Sequence, residues 1–125
     1  MSSRPDFMIL AYPVISFIAP YVHRGSMRNL LGDNPDPKLT ASLSNETQVT
    51  PQTPPAFLFH TNSDSGGAPE NSVLFYLALR KAGVPAEMHI YERGEHGVGL
   101  ALFDPILSSW PRRLEAWMKL HGWMK

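Results

Sequence analysis

The sequence has no cysteine, no net charge and no apolar run long enough to cross a bilayer. The first absence removes disulfide frameworks and thiolate chemistry, and with them any clue to redox compartment. The second removes the basic footprint that nucleic acid or an anionic membrane surface requires, so neither is expected as a partner. The apolar stretch over residues 7–17 falls well short of the roughly 20 residues a membrane helix needs. Residues 1–6 lack the basic-then-apolar order of a signal peptide, and no address is expected in these residues.

What is present is ordinary for a globular domain: 43% hydrophobic residues and 18% charged ones. At 125 residues the chain holds one domain's worth of core but is short for the common α/β enzyme folds. It is therefore expected to be part of something larger. The five methionines after Met1 have no spacing that suggests a metal or cofactor box and read as core filler.

Phe7-Met8-Ile9-Leu10-Ala11-Tyr12, running on to Ser16, reads as a strand buried on both faces of a parallel sheet. Residues 21–53 form an excursion of short helices. Gly25-Ser26 is expected to cap one that ends at Gly32, and Asp36-Pro37 to open another through about Leu43. The proline-rich stretch 50–55 predicts a stiff, extended lead-in to a second buried strand over residues 56–61. That strand stops at the turn-forming cluster Asn62-Ser63-Asp64-Ser65-Gly66-Gly67. Pro69 and Glu70 open a helix closed by Gly83, with Val73, Leu74, Leu77 and Ala78 as its apolar face. Residues 86–91 alternate as a strand near a sheet edge does, and residues 111–121 close the chain as a helix carrying Leu114, Trp117, Met118 and His121.

This order of elements predicts an α/β protein with a mostly parallel sheet. In such sheets ligands sit beyond the carboxyl ends of the strands, where both Asp64 and the glycine-flanked His96 of Gly94-Glu95-His96-Gly97-Val98-Gly99 fall. Three glycines around one imidazole suggest a loop shaped to aim that ring. An aspartate that accepts a hydrogen bond from an imidazole fixes its tautomer and equips it to act as a general base. Each residue also has a plainer reading, Asp64 as a turn former and His96 as an ordinary loop residue. His60 and His89 lie within strand patterns and are expected to be hydrogen-bonded structural histidines. A metal site from His60, Asp64 and His96 lacks any close-spaced ligand motif, and no metal or cofactor is expected. Trp110, Trp117 and Trp123 read as core and anchoring aromatics in preference to a sugar platform.

Several segments, in order, carry a resemblance: Arg4-Pro5-Asp6-Phe7, Tyr12-Pro13-Val14-Ile15-Ser16, Asn29-Leu30-Leu31-Gly32, Thr53-Pro54-Pro55-Ala56-Phe57-Leu58, Pro69-Glu70-Asn71-Ser72, Ala82-Gly83-Val84-Pro85-Ala86-Glu87 and Gly94-Glu95-His96-Gly97-Val98-Gly99-Leu100. Together they resemble the C-terminal portion of an α/β-hydrolase-fold serine esterase, of the acetylxylan-esterase-like kind that removes acyl groups from carbohydrates or small esters. The resemblance implies the last three strands of that fold with flanking helices, and a triad whose acid is Asp64 and whose histidine is His96. It also implies a nucleophilic serine in a Gly-x-Ser-x-Gly elbow ahead of the strand that Phe7 begins. Residues 1–125 contain no such elbow, and Ser2, Ser3, Ser16 and Ser26 stand in no such context. The expectation is a partial domain lacking the half that attacks, acting on a small-molecule or carbohydrate ester in the full-length enzyme. A non-catalytic remnant or interaction module of the same fold is the alternative. In either case the outer edge of the first strand is expected to be open, inviting self-association or complementation.

Overall fold

The computed structural model describes residues 3–125; Met1 and Ser2 lie outside the described residues. Three strands, β1 (Met8–Ala11), β2 (Ala56–Thr61) and β3 (Ala86–Tyr91), form one all-parallel sheet in the order β1-β2-β3. Among the described residues four α-helices flank it: α1 (Arg24–Leu31), α2 (Pro37–Ser42), α3 (Glu70–Lys81) and α4 (Trp110–Leu120). Parallel strands need crossovers, and helices covering both sheet faces are the usual solution. Here Ala56 and Leu58 of β2 share a core with Phe75 and Leu79 of α3. On the opposite face Phe57 and Phe59 pack with Trp110 and Trp117 of α4.

All six residues of β2 are buried, as its apolar run implies. Burying each of its phenylalanines contributes about 1.5–3 kcal/mol. The first strand is a correction. It is four residues long and Ile9 is 42% exposed, whereas its outer edge is unpaired among the described residues, as expected. It stops because Tyr12 turns to φ +40°, a left-handed conformation from which an extended ladder cannot continue. The amides of Met8 and Tyr12 donate to Pro55 and Phe59 in β2's direction. By alternation, Ile9 and Ala11 present their backbone groups to the outer edge.

Other corrections are local. The cap of α1 is His23, whose Nδ1 accepts from the Ser26 amide, and Gly32 ends the helix as expected with φ +82°. Asp36 caps α2 through the Lys38 and Leu39 amides. Residues 50–53 are a turn, closed by the Thr53 amide on the Thr50 carbonyl, and not an extended lead-in. Helix α3 buries Asn71, Ser72, Phe75 and Leu79, whereas Leu77 is 55% exposed. The inward face departs from the apolar stripe because two of the buried positions are polar. Asn71 earns its place by accepting from the Ile15 and Ser16 amides at 3.0 Å, tying the loop after β1 to α3. Met8, Met88 and Met118 pack against the cores, but Met124 is exposed.

Candidate functional site

The carboxyl ends of β2 and β3 bring Asp64 and His96 together. Strand β2 ends at Thr61, and the turn that follows wraps its backbone around Asp64, whose Oδ1 accepts from the amides of Gly66 and Gly67 at 2.8 and 2.7 Å. Gly66 is small for a reason: a Cβ there would stand 2.9 Å from Cβ and Cγ of His96. The histidine loop is pinned to the same turn. Thr61 Oγ1 donates to the Gly94 carbonyl at 2.6 Å, and the Gly94 amide donates to Ser63 Oγ at 2.8 Å. Gly94 itself sits at φ +144°, and a side chain there would press to 2.8 Å from the Thr61 methyl. Further along, Trp110 Nε1 donates to the Gly99 carbonyl at 2.9 Å, anchoring the loop to α4.

His96 Nδ1 lies 2.9 Å from Asp64 Oδ2 and 3.1 Å from Oδ1. A carboxylate only accepts, so Nδ1 carries the proton and Nε2 keeps its lone pair; the tautomer follows from the hydrogen-bond network. Among the described residues Nε2 has no hydrogen-bond partner, and the His96 side chain is 42% exposed while that of Asp64 is 1% exposed. A buried acid behind a half-open base is the arrangement that orients an imidazole to take a proton from something outside. Burial is the largest influence on the Asp64 carboxyl and pushes it up. The His96 hydrogen bond, the Gly67 and Gly66 amides and the charge of His96 together outweigh that and hold it below its ordinary value of 3.8.

Tyr12 is a residue that sequence reasoning missed. Its ring meets the His96 imidazole edge-on, centroids 4.9 Å apart, and also packs edge-on against Phe59 at 5.5 Å. A bulky residue at φ +40° costs on the order of 1–3 kcal/mol, and such strain clusters at functional sites. Only the following Pro13, which limits the preceding backbone, hinted at anything unusual there. His60 is buried and fully hydrogen-bonded, and His89 bonds Glu87 at 2.7 Å, both as structural histidines should. Trp110 and Trp117 lie in the core, and Trp123 stacks on Phe7 and His121.

Beside the histidine loop lies an apolar cleft of about 620 Å³, lined by Val98, Leu100, Leu102, Phe103 and Leu107 among others. A second cavity of about 300 Å³ opens on the α3 face at Met8, Leu10, Ile15 and Phe75 and includes no residue of the Asp64–His96 pair.

Residues 11–120 match the model of the prolyl oligopeptidase family. The chain belongs to that family. This family member is 35% identical over 120 residues to an acetylxylan esterase of Xylanibacter ruminicola, an overlap of 93% of this chain and 25% of that protein. It is 43% identical over 110 residues to endo-1,4-beta-xylanase B of Butyrivibrio fibrisolvens, covering 88% of this chain and 17% of the other. The solved structure of an acetyl ester-xyloside bifunctional hydrolase from Caldicellulosiruptor lactoaceticus superposes with a TM-score of 0.94 at 47% identity, over 98% of this chain and 44% of that one. The fold is thus that of the α/β hydrolases, represented by three parallel strands and their flanking helices. The chain spans a quarter or less of the curated relatives it matches and under half of that solved structure.

Proposed function

We propose that residues 1–125 supply the acid and the base of a serine esterase that hydrolyses acyl esters of carbohydrates or small molecules. Asp64 orients His96, and His96 Nε2 takes the proton of a serine that lies outside these residues. The serine oxygen attacks the ester carbonyl, the alcohol leaves with the proton held by His96, and water then releases the acyl group by the same route. The observation that carries this is the 2.9 Å contact between His96 Nδ1 and Asp64 Oδ2, with Nε2 left free among the described residues. An acetylxylan esterase and an acetyl ester-xyloside hydrolase among the relatives favour acetylated carbohydrate as the substrate class.

The test is reconstitution. The purified chain is mixed with a polypeptide comprising the part of the Caldicellulosiruptor hydrolase that this chain does not cover, and turnover of a short-chain aryl acetate is measured. Without that part the chain is expected to give no turnover above background. With it, turnover is expected to appear and to fall by on the order of a millionfold, to background, in His96→Ala. Robust hydrolysis by the chain alone, or a reconstituted activity indifferent to His96→Ala, would overturn the proposal. The alternative, a non-catalytic module of the same fold, is favoured only if binding occurs with no turnover at all.

A further inference from the structure

Asp64 is approached by two imidazoles, and the esterase proposal uses only one of them. His60 is completely buried on the α3 face of β2, where Ala56 and Leu58 are its strand companions and an aliphatic side chain would be the simpler occupant. Its Nε2 donates to the Gly67 carbonyl at 2.8 Å and stands 3.2 Å from Asp64 Oδ2. Its Nδ1 is 2.8 Å from Ser72 Oγ, on the first turn of α3. A carbonyl and a carboxylate only accept, so Nε2 carries the proton; Nδ1 is then an acceptor, and the Ser72 hydroxyl donates to it. One tautomer satisfies every atom.

The consequence falls on Asp64. Gly67 donates its N–H to Asp64 Oδ1 at 2.7 Å and its C=O accepts from His60, so His60 fixes the residue whose amide holds the carboxylate. The same imidazole edge faces Oδ2 from inside, while His96 meets that oxygen from outside at 2.9 Å. With both oxygens anchored, the carboxylate has one orientation in which to receive His96. We propose that His60 is a positioning residue for Asp64, held in its Nε2–H tautomer by Ser72, so that Ser72, His60, Asp64 and His96 form one polar line from α3 to the exposed imidazole. The proposal deepens the assignment of Asp64 and His96 as acid and base, and rests on it.

The readout is the tautomer of His96, which a merely structural histidine would leave untouched. Long-range proton–nitrogen correlation spectra of the ¹⁵N-labelled chain at neutral pH report which ring nitrogen is protonated, with His96 identified by its loss in His96→Ala. In the parent chain His96 is expected to be protonated at Nδ1 and His60 at Nε2. In His60→Leu the ratio of His96 tautomers should drop on the order of tenfold, the size expected when a hydrogen bond to a charged group is disturbed. His60→Gln, which returns an N–H donor toward Gly67 and Asp64, should restore it. Ser72→Ala should mix the tautomers of His60 and weaken the preference at His96. A folded His60→Leu with the parent's His96 pattern, or a His60→Gln no better than His60→Leu, overturns the proposal. Should His60→Leu fail to fold, Ser72→Ala decides, and unchanged tautomers at both histidines sink the idea. A parent chain in which His96 shows no Nδ1–H preference is a different failure, since it removes the acid–base pair itself.

Discussion

Strands β1 and β2 are both uncharged and mostly apolar, lie side by side in register, and fare differently. Every residue of β2 is buried, its two edges are paired, and a helix covers each face. At β1, Ile9 is 42% exposed, the outer edge is unpaired among the described residues, and a cavity of about 300 Å³ opens at Met8 and Leu10. Burial of a strand is therefore a property of its neighbours and not of its own composition. Asp64 and His96 hang from β2 and β3, on the better-partnered side of the sheet. The proposed acid and base are thus positioned by the turns after β2 and β3, away from the open β1 edge.

The sharpest way to test that contrast is to remove bulk from each strand. Phe59→Ala deletes a ring stacked on Trp110 at 4.6 Å and touching Tyr12 and Tyr91, in surroundings that cannot readily close around the gap. A loss of about 3–5 kcal/mol is expected. Ile9→Ala removes a half-exposed side chain and is expected to cost about 1 kcal/mol or less. Urea unfolding of the two variants beside the parent gives both numbers. Equal costs would mean that the β1 edge is as well packed as the centre, and the comparison would fail.

A smaller effect probes the well-partnered end through pH. The Asp64 carboxyl is held below its ordinary value of 3.8 in the folded chain, because the His96 hydrogen bond and the Gly67 and Gly66 amides together overcome the burial that pushes it up. A depressed folded value means that the ionised form contributes stability above the unfolded value, and that this is lost as pH falls through the folded one. The stability gap between the parent and Asp64→Asn should therefore be constant above about pH 4 and shrink at lower pH. Thermal melts across that range measure it. A gap that persists undiminished into acid would show that Asp64 stabilises the turn by shape and not by charge.

How much of this was legible beforehand follows the same division. β2 declares itself through an apolar run, β3 through alternation and α3 through Pro69 and Gly83, and the Asp64–His96 pairing follows once both loops are placed at one end of a parallel sheet. What was hidden depends on three-dimensional partners. The left-handed Tyr12 has no glycine to announce it, and its contact with His96 spans more than eighty residues. Asn71 and Ser72 break the apolar pattern of α3 because the loop after β1 and the His60 ring need hydrogen bonds exactly where periodicity calls for carbon. Buried polar atoms of this kind are set by what they must satisfy, which no local window reveals.

The smallest expected change in stability carries the most information about the open edge. Both outer strands present unpaired backbone groups, but they are not equivalent. Strand β3 carries Glu87 and His89, and charged or polar side chains blunt an edge. From Phe7 to Ser16 there is no charged residue at all, so β1 offers a flat apolar template to another strand. The chain is expected to self-associate through that edge. Ile9→Lys places a charge on it at a half-exposed position whose backbone faces away from β2, so folding stability should change by less than about 0.5 kcal/mol. Association should nonetheless weaken, with sedimentation velocity shifting from larger species toward monomer, while Glu87→Ala on β3 should not produce that shift. A parent chain that is monomeric at all accessible concentrations, or an Ile9→Lys variant that associates as the parent does, would show that the β1 edge is already protected. The contrast with β2 would then describe packing alone and carry no consequence for assembly.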